Sequence, residues 1–258
     1  MEIAMLELRD ISFAYGGCRV LEGVNINFSP GELCALVGRN GCGKTTLARL
    51  MARQASPLTG SILLDGVDIS SLSGRELARR VSLFPQSRLT PDMTVGDYVA
   101  YGRYPYAGLS MRLGQSDIEA VREAMELTGV TGFEGRRLAE LSGGERQLVY
   151  LAMQIAQGSD FMILDEPASS LDAANCFAVF DVLSAMALRG RCVVVIIHDI
   201  SFALSRFPRV AVMDGGRIIY DGSPCGAVSS GAIESAFGVV CEAVGEKEYI
   251  IRKKDRIC

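Results

Sequence analysis

Residues 38–45 combine glycines, a lysine and a hydroxyl side chain at a spacing suited to binding phosphate. The run Gly38-Arg39-Asn40-Gly41-Cys42-Gly43-Lys44-Thr45 matches the pattern G-x-x-x-x-G-K-[ST] at every fixed position. In this pattern glycines turn backbone N–H groups toward phosphate oxygens, the lysine compensates their charge, and the hydroxyl can ligate Mg²⁺. An apolar run at 32–37 precedes it and a helix-forming stretch at 46–51 follows it. This strand, loop and helix context favours a phosphate loop over an ordinary glycine-rich turn.

Two acidic residues follow a second apolar run directly. Residues 161–164 read Phe-Met-Ile-Leu, and Asp165 and Glu166 come next. A carboxylate at the end of a buried strand costs free energy unless it has a partner or a task. In phosphate-loop enzymes an Asp in this place holds Mg²⁺, and a neighbouring Glu can accept a proton from the attacking water. Alone, the pattern commonly marks a strand that meets a surface loop; with the phosphate loop it predicts catalytic carboxylates.

His198 is the only histidine of the chain, and it follows the apolar run 192–197. The carboxyl ends of strands are where ligand sites collect in open α/β sheets. The alternative interpretation is a structural histidine whose ring nitrogens are satisfied by neighbouring groups. The position beside Asp199 favours a functional role for His198 when the other motifs are taken with it.

A serine and two glycines open the helix predicted from residue 143 onward. The run Leu141-Ser142-Gly143-Gly144-Glu145-Arg146-Gln147 leads into apolar residues at helical spacing, Leu148, Leu151, Ala152 and Ile155, and the pattern ends at Gly158. Ser142 followed by Glu145 fits a capping box, which would make this a well-formed helix start. Exposed N–H groups and the Ser142 hydroxyl would equally suit an anion. Spacing alone leaves both interpretations open.

The remaining patterns predict the elements that would position these residues. Residues 5–13 alternate apolar and polar, as in a half-buried strand. The runs 161–164 and 192–197, with helix formers at 175–188 between them, indicate strand, helix and strand in a parallel sheet. Residues 210–213 and 217–220 flank a turn at 214–216, which predicts a hairpin. Between 86 and about 157, turn residues and then helical spacing predict a mostly helical insertion.

Composition narrows the classes of function. The 258 residues are 49% hydrophobic and 22% charged, as expected for a folded globular protein, and the net charge of −4 argues against nucleic-acid binding. The eight cysteines are scattered without a C-x-x-C pair, so a zinc site is not expected. The start shows no secretion signal and no apolar run reaches the ~20 residues of a membrane span. We therefore expect reduced thiols in the cytosol, and any membrane role would need a partner.

The motifs, taken in order, resemble the nucleotide-binding domains of ABC transporters. After the phosphate loop come a Q-loop glutamine, the LSGG signature, the Walker B pair, a D-loop and a switch histidine, at Gln86, Ser142–Gly144, Asp165-Glu166, Ser170-Leu171-Asp172 and His198. The resemblance implies an α/β P-loop NTPase (RecA-like) core with an N-terminal antiparallel β subdomain and an inserted α-helical subdomain. We expect one domain over 1–258, with 1–86 and 158–258 as catalytic core and 87–157 as the helical subdomain carrying the signature.

The resemblance also implies roles for individual residues. Catalysis would involve Glu166, which polarises water, His198, which contacts the γ-phosphate, and Gln86. Mg²⁺ would be held by Thr45, Gln86 and Asp165. Binding of ATP would involve an aromatic ring on the adenine, the phosphate loop, and the signature and D-loop of a second subunit: Tyr15, Gly38, Asn40, Gly41, Cys42, Gly43, Lys44, Thr45, Thr46, Ser142, Gly143, Gly144 and Asp172.

One phosphate loop and one signature per chain imply a pair of ATPase subunits, here a homodimer, with ATP bound across the two. Such pairs sit peripherally at the cytoplasmic side of the cell membrane on transmembrane permease subunits, and a substrate-binding protein acts indirectly with them. Residues 93–99, 102–105 and 236–239 more narrowly resemble the ATPases of importers for ferric siderophores, haem and cobalamin. The alternatives are a soluble ABC ATPase of cofactor assembly and the ATPase subunit of an ABC exporter.

Overall fold

The computed structural model describes residues 5–86, 90–108, 112–169, 171–245 and 248–253. The chain divides into two compact units. The first comprises the residues up to Ser71 together with those from Val194 onward, and the second comprises Leu72–Val193. Of the residues named above, Ser170 of the D-loop lies outside the described part. Within the described ranges, no helix combines the length and the apolar character needed to cross a bilayer.

The elements follow one another as strands and short helices. In chain order they are β1 (Leu6–Tyr15), β2 (Cys18–Phe28), β3 (Leu33–Gly38), α1 (Lys44–Met51), β4 (Thr59–Leu64), β5 (Val67–Asp68), α2 (Gly74–Arg80), β6 (Val81–Phe84), α3 (Val95–Ala100), α4 (Gln115–Leu127), α5 (Gly143–Gln157), β7 (Phe161–Asp165), α6 (Ala173–Leu188), β8 (Cys192–Ile196), α7 (Ile200–Arg206), β9 (Arg209–Asp214), β10 (Arg217–Gly222), α8 (Pro224–Ser229), α9 (Ala232–Phe237), β11 (Val239–Ala243) and β12 (Tyr249–Lys253). One-turn 3-10 helices occur at Tyr101–Arg103, Thr131–Phe133 and Leu138–Glu140.

An antiparallel sheet in the first unit has the order β2-β1-β4-β5. The alternation of buried and less buried residues that predicted β1 is present but is interrupted once. Leu6 and Leu8 are buried, the register slips between Leu8 and Ile11, and Asp10 takes a left-handed φ of 51°. This bulge returns Ile11 to the buried face, so both halves of the strand contribute apolar side chains to the same core.

A second sheet in the first unit follows the order β10-β9-β3-β8. Strands β3 and β9 run parallel, with Cys34 opposite Arg209 and Gly38 opposite Met213. All six residues of β3 are buried, which explains why its sequence is a continuous apolar run instead of an alternating one. The predicted strand, loop and helix over 32–51 is confirmed as β3, the phosphate loop and α1.

The predicted hairpin near the end of the first unit is confirmed as β9 and β10, with a tighter turn than expected. Asp214 pairs with Arg217, so the turn has only two residues, Gly215 and Gly216. Both have positive φ, 52° and 78°, which is the geometry that matches the twist of the flanking strands and that glycine adopts at little cost. Strands β11 and β12 form a separate antiparallel pair further on.

In the second unit β7 is completely buried and lies parallel to β6, with Val81 opposite Phe161 and Phe84 opposite Leu164. In the described part of the stretch between 86 and 157, the elements are helices, namely α3, α4, α5 and the three 3-10 turns, which agrees with the mostly helical stretch predicted. Helix α5 packs against α3, α4 and the 3-10 turn at Tyr101–Arg103. Its buried residues include Leu151 and Ala152 of the predicted apolar face, together with Val149 and Tyr150. Helix α5 is therefore the central helix of this unit.

Candidate functional site

The glycines of the phosphate loop permit close packing between β3, β2 and β9. A Cβ on Gly38 would lie 2.3 Å from the carbonyl oxygen of Met213, and a Cβ on Gly43 would lie 2.6 Å from Cδ2 of Leu21. Gly43 also has a φ of +108°, which L side chains rarely adopt. Helix α1 begins directly afterwards and carries no acidic residue in its first turn. Its first N–H groups and the positive end of its dipole therefore suit an anion.

Lys44 places a buried positive charge in the same loop. The side chain is only 6% exposed, and its Nζ donates to the carbonyl oxygens of Gly38 at 2.7 Å and Arg39 at 3.1 Å. These carbonyl groups hold the ammonium in place without neutralising its charge. Thr46, at the third position of α1, is buried, and Thr45 is half-buried. Asn40 and Gly41 are exposed at the tip of the loop.

The thiol of Cys42 belongs to this loop as well. Burial raises the pKa of the Cys42 thiol above its ordinary value, and the nearby Lys44 ammonium, 3.9 Å from the sulfur, opposes the shift without cancelling it. Because the thiolate is the reactive form, we expect reaction of Cys42 with thiol reagents to be slow at neutral pH.

Two carboxylates follow one another at the end of strand β7. Asp165 is its last residue and is 2% exposed, and Glu166 follows with a left-handed φ of 53°. This φ is uncommon for a residue with a side chain, so the surrounding turn must maintain it. The side-chain amide of Gln86, an exposed residue two positions after β6, donates a 2.9 Å hydrogen bond to Oε1 of Glu166. The second unit thus brings together two of the three residues for which we predicted a catalytic role.

The start of α5 is a capping box. The Oγ of Ser142 accepts from the backbone N–H of Glu145 at 3.3 Å, and Oε2 of Glu145 accepts from the N–H of Ser142 at 2.8 Å. Hydrogen bonds from the side chain and the backbone N–H of Ser142 to the Glu145 carboxyl lower its pKa. The structure therefore contains the capping box that the sequence predicts. Anion binding by the same serine stays a prediction. Gly143 is exposed, and Gly144 faces α6, where a Cβ would lie 3.2 Å from Nδ2 of Asn175.

The other residues predicted for the site lie in loops or at the end of a strand. Asp172 is the N-cap of α6, and its Oδ1 accepts from the N–H of Asn175 at 2.8 Å. His198 is exposed two residues after β8, and the neighbouring Asp199 caps α7. Tyr15 is 48% exposed at the end of β1 and packs edge-on against Phe13, with ring centroids 4.7 Å apart. Nothing in these contacts tests the adenine role of Tyr15.

Two contacts made by residues of α5 and α6 were not predicted from the sequence. The side-chain amide of Gln147 in α5 donates to the carbonyl oxygen of Pro167, the residue after Glu166. Asn175, in the first turn of α6, lies against Gly144. The only sequence signal for Gln147 is its place three residues after Gly144, on the same face of the helix.

Known proteins are similar to this chain over most of its length. A family model described as ABC transporter matches residues 21–169. The ferric enterobactin transport ATP-binding protein of Escherichia coli is 34% identical over 95% of this chain and 91% of its own length. The petrobactin import ATP-binding protein of Bacillus anthracis is 34% identical (92% and 88%), and the hemin import ATP-binding protein of Bordetella pertussis is 33% identical (93% and 94%).

Solved structures confirm the predicted fold class. A nucleotide-free ATP-binding cassette from an ABC transporter superposes with a TM-score of 0.76 over 86% of this chain and 92% of its own, at 21% identity. A bacterial Atm1-family ABC exporter with ATP bound superposes with a TM-score of 0.75 at 26% identity, over 89% of this chain and 40% of its own length. The family model and the relatives show that the chain belongs to the ABC transporter family, as one of its nucleotide-binding ATPase subunits.

Proposed function

We propose that this chain powers the import of a metal chelate, such as a ferric siderophore, haem or cobalamin, by hydrolysing ATP. Three relatives that it matches over more than 90% of its length are named for transport of ferric enterobactin, petrobactin and hemin. The resemblance noted at residues 93–99, 102–105 and 236–239 supports the same class of cargo. The permease and a substrate-binding protein would select the molecule carried.

The buried ammonium of Lys44 is the observation that carries the ATP-binding part of the proposal. It lies at the start of α1, held by the carbonyl oxygens of Gly38 and Arg39 at 2.7 and 3.1 Å. A positive charge held by neutral groups at the N-terminus of a helix is suited to the β- and γ-phosphates of ATP. In the proposal the phosphates are bound by the backbone of residues 38–43 and by Lys44, Thr45 and Thr46, and Tyr15 stacks on the adenine.

The donor atoms proposed for Mg²⁺ fit that ion. They are the hydroxyl of Thr45, the side-chain oxygen of Gln86 and the carboxylate of Asp165, all of them hard oxygen ligands. Asp165 is 2% exposed, and burial of a carboxylate is favourable when a cation compensates it. Bound Mg²⁺ would supply charge neutralisation for the phosphates during the transfer.

Hydrolysis in the proposal uses Glu166 as general base. The oxygen of water attacks the γ-phosphorus, the bond between that phosphorus and the ADP oxygen breaks, and Glu166 accepts the proton from water. The 2.9 Å hydrogen bond from Gln86 orients the carboxylate. His198 would contact the γ-phosphate and stabilise the charge on its oxygens.

A second copy of the chain completes the proposed site. Ser142, Gly143, Gly144 and Asp172 would serve the ATP bound to the phosphate loop of the partner, and each chain would contribute one such set. Loss of the γ-phosphate removes a contact that both copies share, so hydrolysis shifts the pair toward the open form. We propose that the pair binds a transmembrane permease peripherally, at the cytoplasmic side of the membrane.

Affinity purification of the chain from detergent-solubilised membranes of its native cell tests this function. Mass spectrometry identifies the partners, and phosphate release from ATP is measured on the same fractions. A polytopic permease together with a chelate-binding protein is the expected result. A soluble cofactor-assembly complex, or a permease of the exporter type, would contradict metal-chelate import while leaving the ATPase in place.

A further inference from the structure

We propose that Gln147 is a positioning residue for Glu166, and that it couples the first turns of α5 to the catalytic carboxylate. The inference rests on the proposed function, in which Glu166 is the general base. Its starting observation is the hydrogen bond from Nε2 of Gln147 to the carbonyl oxygen of Pro167. Gln147 is half-buried and Pro167 is buried, so the bond is protected from competition by solvent.

The backbone at Glu166 needs such support. Its φ of 53° is uncommon for a residue that has a side chain, and it persists only where neighbouring groups fix it. Ser169 donates to the carbonyl oxygen of Glu166 from its backbone N–H at 3.2 Å and from its Oγ at 3.0 Å. Gln147 holds the next carbonyl along the chain, and Gln86 holds the carboxylate itself. These bonds together fix both the backbone and the side chain of Glu166.

The position of Gln147 in α5 connects this hydrogen bond with the signature residues at the start of the helix. Gln147 lies five residues after the N-cap Ser142, which corresponds to about 7.5 Å along the helix axis. Gly144 and Gln147 share a helix face, and Gly144 lies against Asn175 of α6. This face of α5 therefore lies against Pro167 and Asn175. A shift of the signature end of α5 would move the backbone beside Glu166 with it.

The same helix supplies a matched control at its other end. Gln157 is also half-buried, and its Nε2 donates to the carbonyl oxygen of Ala78 at 2.6 Å. Loss of this bond removes an interaction of the same kind from the same helix, but one that holds α2 instead of the backbone beside Glu166. A purely structural role for Gln147 predicts that Gln147→Met and Gln157→Met behave alike.

The experiment measures kcat and KM for ATP, and the melting temperature, for the full-length protein and the variants Gln147→Met, Gln157→Met and Glu166→Gln. We expect Gln147→Met to lower kcat at least tenfold with KM within twofold of the unmodified protein, and Gln157→Met to leave both within twofold. A kcat for Gln147→Met within twofold of normal, or an equal fall in both glutamine variants, would overturn the inference.

Two further measurements keep the outcomes separate. If Gln147→Met melts below the assay temperature, Gln147→Glu replaces it. This variant keeps the shape of the side chain and loses the amide donor. The same tenfold fall in kcat is expected, and a normal kcat would refute the proposal. Normal turnover in Glu166→Gln would refute the base assignment of the proposed function itself. Loss of turnover in Glu166→Gln with normal kcat in the Gln147 variant refutes the positioning role alone.

Discussion

The side-chain amide of Gln86 donates a 2.9 Å hydrogen bond to Oε1 of Glu166, although the two residues are 80 positions apart in the chain. Gln86 follows β6 and Glu166 follows β7, and these strands are parallel neighbours, so their carboxyl ends lie at the same edge. A neutral amide orients a carboxylate without removing its negative charge, which a general base requires. The pair is therefore arranged for the role proposed for Glu166.

Replacement of Glu166 by Gln is expected to leave ATP binding intact and to slow turnover by about 10²- to 10⁴-fold, because the variant keeps the shape of the side chain and loses the base. The ATP-bound variant should also accumulate as a dimer. Equilibrium binding of ATP, phosphate release and size-exclusion chromatography with ATP measure the three effects. Glu119→Gln, an exposed residue of α4, serves as control. Normal phosphate release by Glu166→Gln would refute the base assignment.

Replacement of Lys44 by Ala removes the buried ammonium from the phosphate loop. Charge-assisted hydrogen bonds contribute roughly 1.5–3 kcal/mol, so affinity for ATP should fall by about 10- to 100-fold. Isothermal titration with ATP measures the change. Arg49→Ala is the control, since Arg49 is a basic but exposed residue of the same helix. Equal affinity in the Lys44 and Arg49 variants would argue against phosphate binding by this loop.

Ser142→Ala separates the capping role of this serine from its proposed role toward ATP. The structure contains a second capping box with the same geometry, in which Ser73 caps α2 through Glu76, with a 3.2 Å bond from the Glu76 N–H and a 2.8 Å bond from the Ser73 N–H. Each serine replacement should cost about 1 kcal/mol of unfolding free energy, measured by urea titration. Only Ser142→Ala should also lower ATP turnover. Equal turnover in the two variants would leave Ser142 with a capping role alone.

Local features of the site were predictable from the sequence because their physical causes are local. The capping box needs only Ser142 and Glu145 at a spacing of three residues. The helix end at Gly158 needs a residue that accepts a left-handed conformation, and Gly158 has a φ of 68°. The apolar runs that predicted β3, β7 and β8 are fully buried strands.

Contacts between distant segments were not predictable in the same way. The carbonyl of Pro167 and the amide of Gln147 are 20 residues apart, and no periodicity brings them together. The same holds for Arg103, which drew attention only as part of the run 102–105. Its guanidinium bonds Oδ1 of Asp117 and the carbonyl oxygen of Ala156, both at 2.9 Å, and lies 3.7 Å from the ring centroid of Tyr106. Such partners become visible only when the helices pack.

Labelling of Cys42 should depend on pH and on nucleotide. Burial raises the pKa of its thiol, so the thiolate is scarce at pH 7 and the labelling rate should rise about tenfold per pH unit below that pKa. ATP with Mg²⁺ should slow labelling, since Cys42 lies within the phosphate loop. Mass spectrometry of peptides after iodoacetamide treatment measures each cysteine, and exposed Cys18 is the internal control. Equal labelling of Cys42 with and without nucleotide would contradict this.

A methyl group at Gly102 should destabilise the second unit. A Cβ there would lie 2.3 Å from the carbonyl oxygen of Met153 and 2.9 Å from the backbone nitrogen of Gln157, both in α5. Backbone atoms of a packed helix cannot move aside cheaply, so Gly102→Ala is expected to lower the unfolding free energy by about 1–3 kcal/mol in urea titration.

Gly108→Ala is the matched control for this prediction, because within the described part of the chain no atom lies within 4 Å of the position of its Cβ. Its effect on stability should stay within about 0.5 kcal/mol. The difference between the two variants isolates the contact with α5 from the general effect of replacing glycine in this segment. If Gly102→Ala were as stable as Gly108→Ala, the close approach of residue 102 to α5 would not constrain the segment that carries Arg103, and the glycine would need another explanation.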